Sequence, residues 1–142
     1  MSQILEVRLE DGSTAALDAS LVAGVSFNGV STTPLAFAQD TGFSPPPGAG
    51  ASVNLRTCVY DPTANLVSCQ EWNVALRKSA LGVLVVAGDA QVGANIGDGA
   101  LTADVTTAFS VSADNTLIVT TGVGAYPNAC TVAGVITTAA VT

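Results

Sequence analysis

The chain has 142 residues, a formal net charge of −7 and no histidine. Charged residues make up only 11% of it and hydrophobic residues 49%, proportions that exclude an intrinsically disordered chain and fit one globular domain. Its four basic residues are too few to bind a nucleic-acid backbone, and without histidine the commonest acid–base catalyst is missing. We therefore expect neither a nucleic-acid partner nor an enzyme.

The N-terminal segment has the pattern of a strand. Leu5, Val7 and Leu9 alternate with charged residues, and Asp11-Gly12 then predicts a turn. This alternation lacks the unbroken apolar run of a signal peptide or a membrane helix. We therefore expect synthesis in the cytoplasm and no membrane partner.

The next segments lead to a proline-rich stretch. The predicted elements are a short helix or a second strand at Ala15 to Ala23, a turn at Asn28-Gly29 and a short strand at Leu35 to Gln39. Phe43 to Gly50 contains three consecutive prolines, which hold the backbone extended, so we interpret it as a linker. The chain is accordingly divided into residues 1–50, an N-terminal strand or arm with the linker, and residues 51–142, a β-sandwich body. Together they are expected to form one compact domain.

A hairpin is the most specific structural prediction. Its two strands lie on either side of Asp61 to Asn65, a stretch of turn-forming residues. If Pro62 to Asn65 form the loop, Asp61 pairs with Leu66. Counting outward gives the cross-strand pairs Cys58–Cys69, Arg56–Glu71, Leu55–Trp72 and Val53–Val74. Opposite charges, apolar residues and cysteines all meet in this register, whereas a slip by one residue would scramble both faces.

The cysteines of this hairpin allow two interpretations. Cys58 and Cys69 lie directly opposite each other, close enough for a cross-strand disulfide. Alternatively they are two reduced thiols, as in most cytoplasmic proteins. We interpret Cys130 as a small hydrophobic residue of a strand, because neither a histidine nor a cationic site accompanies it.

The second half of the chain continues as a series of strands and turns. The apolar run Leu81 to Ala87 predicts a central strand buried on both faces, and the glycine-rich Gly88 to Gly99 predicts a long loop. Alternating apolar residues predict strands at Leu101 to Val111, Leu117 to Val123 and Cys130 to Val141. Such a series is typical of an all-β fold, an antiparallel β-sandwich or barrel.

Few residues are candidates for chemistry. Asp89, Asp98 and Asp104 flank the predicted loop and allow either calcium binding or ordinary turn formation, but their spacing fits no calcium-binding motif. We predict no catalytic residue, no cofactor and no metal site. Arg77 and Lys78 form either a small positive contact or a solvated strand end.

The composition points to association with other proteins. With so few charges the chain has little polar surface to expose, and a monomer rarely exposes large apolar areas. We therefore expect part of the surface to be covered by copies of the chain or by another protein. The candidate interface residues are Leu5, Val7 and Leu9 on the N-terminal strand, together with Arg77 and Lys78.

An acidic, cysteine-poor chain rich in alanine, threonine, valine and glycine, with a Pro/Gly segment at Phe43 to Gly50 and a glycine-punctuated stretch at Val83 to Asp89, resembles the capsid decoration (cement) proteins of tailed bacteriophages. The resemblance rests on composition and type, and no family residue is transferred. It implies a structural virion protein, made in the host cytoplasm, that binds the outside of a phage capsid and stabilises it. The implied partners are further copies of the chain, a trimer being favoured, and the major capsid protein. The alternative is a non-enzymatic surface β-module for adhesion or carbohydrate binding.

Overall fold

The regular structure of the described residues consists almost entirely of antiparallel strands. A computed structural model describes the backbone at residues 4–8, 14–18, 24–31 and 36–142, and the side chains at residues 28–30 and 37–142. In chain order, the described elements are β1 (Ile4–Arg8), β2 (Thr14–Asp18), β3 (Gly24–Ser31), β4 (Ala36–Asp40), β5 (Gly50–Asp61), β6 (Leu66–Lys78), β7 (Leu84–Gln91), β8 (Ile96–Gly97), α1 (Gly99–Thr102), β9 (Thr106–Val111), β10 (Leu117–Gly122) and β11 (Cys130–Val141). The predicted all-β antiparallel class is confirmed.

Two sheets form the body. The larger has the order β3-β11-β5-β6-β7, with β8 also pairing β6, and the smaller has the order β4-β10-β9. Strands β1 and β2 pair with each other as a separate antiparallel hairpin. For Ala15 to Ala23 the strand alternative is the one observed, within Thr14–Asp18, and residues 19–23 lie outside the described residues.

The inner faces of the two sheets meet in one hydrophobic core. Every second side chain of β5 and β10 is buried, the pattern of strands whose sheet is covered on one face. The core includes Val53, Leu55, Val59, Val74, Val132 and Ile136 from the larger sheet and Leu117 and Val119 from the smaller one. Trp72 packs edge-on against Phe109 of the smaller sheet, with ring centroids 5.7 Å apart. The fold is therefore a β-sandwich.

The hairpin of β5 and β6 has the predicted register. The observed pairs include Asp61–Leu66, Cys58–Cys69, Arg56–Glu71, Leu55–Trp72 and Val53–Val74. Asn65 closes the turn with a φ of 57°, a left-handed conformation that asparagine tolerates better than most residues. The predicted last strand, Cys130 to Val141, is confirmed as β11, which inserts between β3 and β5.

The turn predicted at Asn28-Gly29 is wrong, because both residues lie inside β3. They pair there with Ala133 and Val132 of β11. The ring of Phe37 lies so close to Gly29 that an added Cβ atom would overlap it. The glycine at this position serves the close approach of an aromatic ring to a strand, and not a reversal of the chain.

The prediction of a central, doubly buried strand at Leu81 to Ala87 is also wrong. Strand β7 begins at Leu84, continues to Gln91 and is an edge strand of the larger sheet. Leu84 is buried, whereas Leu81 is 93% exposed in the turn before the strand. A short apolar run does not distinguish a central from an edge strand, because the neighbour that would cover it lies elsewhere in the sequence.

The predicted loop and the strand after it are shorter than expected. Strand β8 lies within the loop, and α1 occupies the start of the strand predicted from Leu101. Leu101 is fully buried from this helical turn, and β9 begins only at Thr106. One helical turn and its exit placed apolar residues at a spacing that imitates a strand.

The proline-rich segment is packed against the body. Phe43, Pro45 and Ala49 are buried. The backbone N–H of Lys78 donates to the carbonyl of Ala49 (2.8 Å), and the N–H of Gly48 donates to the carbonyl of Lys78 (2.9 Å). The segment is therefore a fixed connection between β4 and β5 that lies beside the end of β6. The division of the chain near residue 50 stays a prediction.

Two buried hydroxyl groups give a stability prediction. Among the described residues, the Oγ1 atoms of Thr57 and Thr121 are buried without a hydrogen-bond partner. Valine has nearly the same shape and removes the unpaired polar group, so T57V and T121V should each raise the free energy of unfolding by about 1 kcal/mol, measured by urea denaturation.

The matched control for these variants is T41V. The Thr41 hydroxyl is buried, donates to the carbonyl of Leu117 (2.8 Å) and accepts from the N–H of Phe43 (3.2 Å). Its loss should lower the free energy of unfolding by about 1 kcal/mol. A T121V protein that is as destabilised as T41V would contradict the prediction.

Candidate functional site

The predicted cysteine pair lies on the outer face of the larger sheet, the face that points away from the core. Cys58 and Cys69 are directly opposite each other, with Cα atoms 4.3 Å apart, and a disulfide joins them. This separation is that of a non-hydrogen-bonded pair, where the side chains of antiparallel strands approach most closely. Cys58 is exposed, so the disulfide is part of the protein surface.

Exposed hydrophobic residues cluster around this disulfide. In the described part of the chain nine large hydrophobic residues are exposed, and six of them lie on or beside one end of the outer face. These six are Val30, Tyr60, Val67, Val92, Ile96 and Val135. We call this group the apolar end of the outer face. A cluster of exposed hydrophobic residues of this kind is typical of an interaction site.

The sheet register aligns these residues in rows across the strands. In one row Val30 is level with Thr131, Thr131 with Tyr60, and Tyr60 with Val67. The next row contains Ala133, Cys58, Cys69 and Ile96. The third contains Val135, Arg56 and Glu71. Tyr60, Val67 and Val135 thus lie on the central strands β5, β6 and β11, whose positions the core holds, and Val30 lies on the neighbouring end strand β3.

A trough of about 640 Å³ crosses these rows. Its lining includes Ala133, Gly134 and both cysteines, and on the side of β6 it includes Val92, Ala94 and Ile96 of the segment that follows β7, which we call the wall. A smaller depression of about 380 Å³ adjoins it and is lined by residues that include Val30 and Tyr60. Among the described residues that line the trough, only Arg56 and Glu71 are charged, so its charges balance.

A buried glutamine fixes the wall of the trough in place. The side-chain amide of Gln70 donates to the side-chain oxygen of Asn95 (2.7 Å) and to the carbonyl of Val105 (3.2 Å). Asn95 in turn donates to the carbonyl of Thr102 (3.0 Å). Since Gln70 is buried in β6, these bonds attach the segment between β7 and β8 to the body. The trough is therefore preformed.

A second polar cluster surrounds the buried carboxylate of Asp61. One oxygen accepts from the backbone N–H groups of Thr63 (2.7 Å) and Ala64 (3.2 Å). The other accepts from the Tyr126 hydroxyl and from the side-chain amide of Asn128 (2.8 Å). The carboxylate thus ties the β5–β6 turn to the segment that precedes β11, and each of its oxygens accepts two hydrogen bonds.

These bonds set the protonation states inside the cluster. Burial raises the pKa of the Asp61 carboxyl, but the hydrogen bonds from Tyr126, Asn128 and the two backbone groups outweigh it and lower the pKa to about 2. The bond to Asp61, together with burial, raises the pKa of Tyr126 to about 12. Burial, followed by the nearby charge of Asp61, raises the pKa of the Cys130 thiol. Cys130 is buried at the start of β11, so its interpretation as a small hydrophobic residue of a strand is confirmed.

The structure locates the other candidate residues apart from this surface. Arg77 is exposed near the end of β6, and the Lys78 ammonium group donates to the Ser44 hydroxyl (2.9 Å), which ties it to the proline-rich segment. Leu5 and Val7 belong to β1, but their side chains lie outside the described residues, as does the whole of Leu9. The interface role of these five residues stays a prediction.

Sequence reasoning missed the apolar end and the Asp61 cluster. The hairpin register already placed Arg56 and Glu71 on one face. The signal that could have extended it was the alternation of Thr131, Ala133 and Val135 with buried residues of β11.

The aspartates considered for calcium binding do not form a metal site with other described residues. Asp98 accepts a hydrogen bond from the N–H of Val67 (2.9 Å). Within the described ranges, no group of three or more histidine, cysteine, aspartate or glutamate residues is placed to hold a metal ion.

Comparisons with known proteins add little. No protein-family model and no curated protein matches the chain. Among solved structures it is similar to the tailspike protein of Acinetobacter baumannii phage AM24, with 9% sequence identity and a TM-score of 0.38. The match covers 84% of this chain and 26% of the tailspike, so the chain spans about a quarter of that protein. Over the residues that the structure describes, no helix is long and apolar enough to cross a membrane.

The disulfide predicts the number of free thiols. Titration of the unfolded, non-reduced protein should find one free thiol, that of Cys130, because Cys58 and Cys69 are bonded. The double variant C58S/C69S should lose about 3 kcal/mol of stability, since the unfolded chain gains the freedom of the opened loop. A count of three free thiols would contradict the disulfide.

The Asp61 cluster predicts how stability depends on pH. Its folded-state pKa lies below the usual value, so the carboxylate stabilises the fold fully above about pH 5 and loses that contribution as the pH falls toward 2. The melting temperature of wild type should therefore exceed that of D61N by a constant amount from pH 5 to 8, and the difference should shrink below pH 4. The exposed turn variant D114N serves as the control. A D61N protein that melts like wild type at pH 7 would exclude this role.

Proposed function

We propose that the chain is a structural, non-enzymatic protein of a bacteriophage virion and that it decorates the outside of the capsid. One observation carries the proposal: in a charge-poor chain, six of the nine large hydrophobic residues that are exposed in the described part lie at one end of a sheet face. A free monomer gains nothing from such a surface and is at risk of non-specific association. In a subunit of a larger assembly, this hydrophobic surface is buried against neighbouring molecules.

The rigidity of the surface supports a structural role. Its residues lie on strands of the larger sheet and on a wall held by Gln70, so little conformational entropy is lost when the surface is covered. The strands at the ends of the larger sheet, β3 and β7, offer further places where a neighbouring chain can add a strand. Many weak contacts of this kind give strong attachment on a repetitive shell.

Attachment to the shell is assigned to the N-terminal strand. In this proposal residues 1–12, with Leu5, Val7 and Leu9, anchor the chain on the major capsid protein, while the β-sandwich body contacts further copies of the chain. The absence of histidine from the sequence supports a role without catalysis, since such a chain lacks the side chain that most acid–base mechanisms use.

Co-sedimentation with phage particles tests the proposal. Full-length protein and a variant that lacks residues 1–12 are mixed with virions from which the native copy has been deleted, and both are first checked by circular dichroism. The full-length chain should pellet with the particles, and the truncated chain should stay folded and remain in the supernatant. Gold-labelled antibody should mark the head in electron micrographs.

The other outcomes separate the alternatives. Label on the tail would retain a virion protein and exclude capsid decoration. A chain that ignores particles but binds polysaccharide on a glycan array would support the adhesion or carbohydrate-binding module. If the truncated chain pellets as well as the full-length one, the N-terminal strand is not the anchor.

A further inference from the structure

We propose that the apolar end of the outer face is covered by a second copy of this chain, packed face to face across a twofold axis that runs parallel to the strands between β5 and β6. The inference deepens the structural role proposed above, because it names the partner of one surface. It rests on the arrangement of charges and apolar residues within the three rows of the apolar end.

The charges on this face complement themselves. A twofold axis between β5 and β6 exchanges the two strands but keeps each row level with the same row of the second copy. Arg56 is opposite Glu71 within the chain, so Arg56 of each copy would face Glu71 of the other. An interface between identical surfaces must complement itself in this way, and one positive and one negative residue on either side of the axis satisfy that condition.

The hydrophobic residues complement themselves under the same rotation. The wall, with the large side chains of Val92 and Ile96, lies on the β6 side of the axis, and the small residues Ala133 and Gly134 lie on the β11 side. The rotation places the wall of each copy over the small residues of the other. Ile96, which is 75% exposed and shares its row with Ala133, would insert there against Ala133.

Arg56 gives the second copy an advantage over an uncharged partner. Among the described residues, no hydrogen bond or ion pair engages its guanidinium group, whereas Glu71 accepts a bond from the side-chain amide of Asn54 (3.1 Å). An apolar partner would remove the water around this guanidinium group and would provide no ion pair or hydrogen bond to compensate. The second copy brings a carboxylate to that position.

Two other occupants fit the face less well. An extended peptide binds sheets by adding a strand at an edge, but the backbone groups of β11, β5 and β6 already pair with each other. A sugar favours flat aromatic residues, and Tyr60 is the only exposed aromatic residue on the described part of this face. Both occupants are outcomes of the test below.

Charge reversal tests the paired arrangement by analytical ultracentrifugation of the full chain. Wild type should form dimers, and R56E and E71R should each weaken dimerisation by about 100-fold, because each places like charges opposite each other at two positions. An equal mixture of the two variants should dimerise again, since the carboxylate introduced by R56E then faces the guanidinium introduced by E71R. The mixture controls for folding, because mixing cannot repair a misfolded variant.

Substitution of the wall tests the apolar contact. I96D should abolish dimerisation, because it places a carboxylate where the side chain inserts. L81D is the matched control, since Leu81 is 93% exposed but lies in the turn before β7, away from this face, and it should dimerise like wild type. Melting temperatures of both variants confirm that they are folded.

The outcomes distinguish this inference from the proposed function. A wild type that stays monomeric at high concentration, or an equal mixture that fails to restore dimers, overturns the inference. Neither result bears on the proposed binding to phage particles, which co-sedimentation measures separately. A dimer that is insensitive to I96D and R56E would place self-association on another surface and overturn the inference as well. If a glycan or peptide binds the wild-type monomer but does not bind the I96D variant, that ligand and not a second copy occupies the face.

Discussion

The register of the β5–β6 hairpin is the constraint on which the rest of the structure depends. It assigns Val53, Leu55 and Val59 to the core and, by the same alternation, Arg56 and Cys58 to the outer face. A shift by one residue would move charges into the sandwich and hydrophobic residues out of it. Because β11 pairs with β5 along nearly its whole length, the same register also positions the C-terminal strand and the rows of the apolar end.

The sequence was sufficient to predict features that are determined by residues close together in the chain. Alternation predicted the strand class, and the assumption of a four-residue turn predicted the register of the hairpin, because both depend on neighbouring residues. It was insufficient where a distant residue decides the outcome. Gly29 is compatible with a turn until Phe37 is placed against it, and Leu81 is compatible with a buried strand until its sheet neighbours are counted. Pattern reasoning describes a segment and not the partners that cover it.

The candidate site likewise combines features that local sequence predicts with features that depend on distant residues. The disulfide partners and the Arg56–Glu71 pair came from the hairpin alone. The wall of the trough did not, because Gln70 holds it through Asn95, 25 residues further along the chain. The Asp61 cluster depends on Tyr126 and Asn128, which lie more than 60 residues away. Long-range polar contacts leave no periodic signal, and only a fold can reveal that a turn aspartate is a buried carboxylate.

The contact between Gly29 and the Phe37 ring has a consequence for evolution. A residue with a side chain at position 29 is compatible with this packing only if position 37 becomes smaller, so the two positions are expected to change together among homologous chains. They lie in different sheets: Gly29 is in β3 of the larger sheet and Phe37 is in β4 of the smaller one. Covariation of this pair, combined with the spacing of the hairpin cysteines, offers a way to detect distant relatives whose overall sequence identity has been lost.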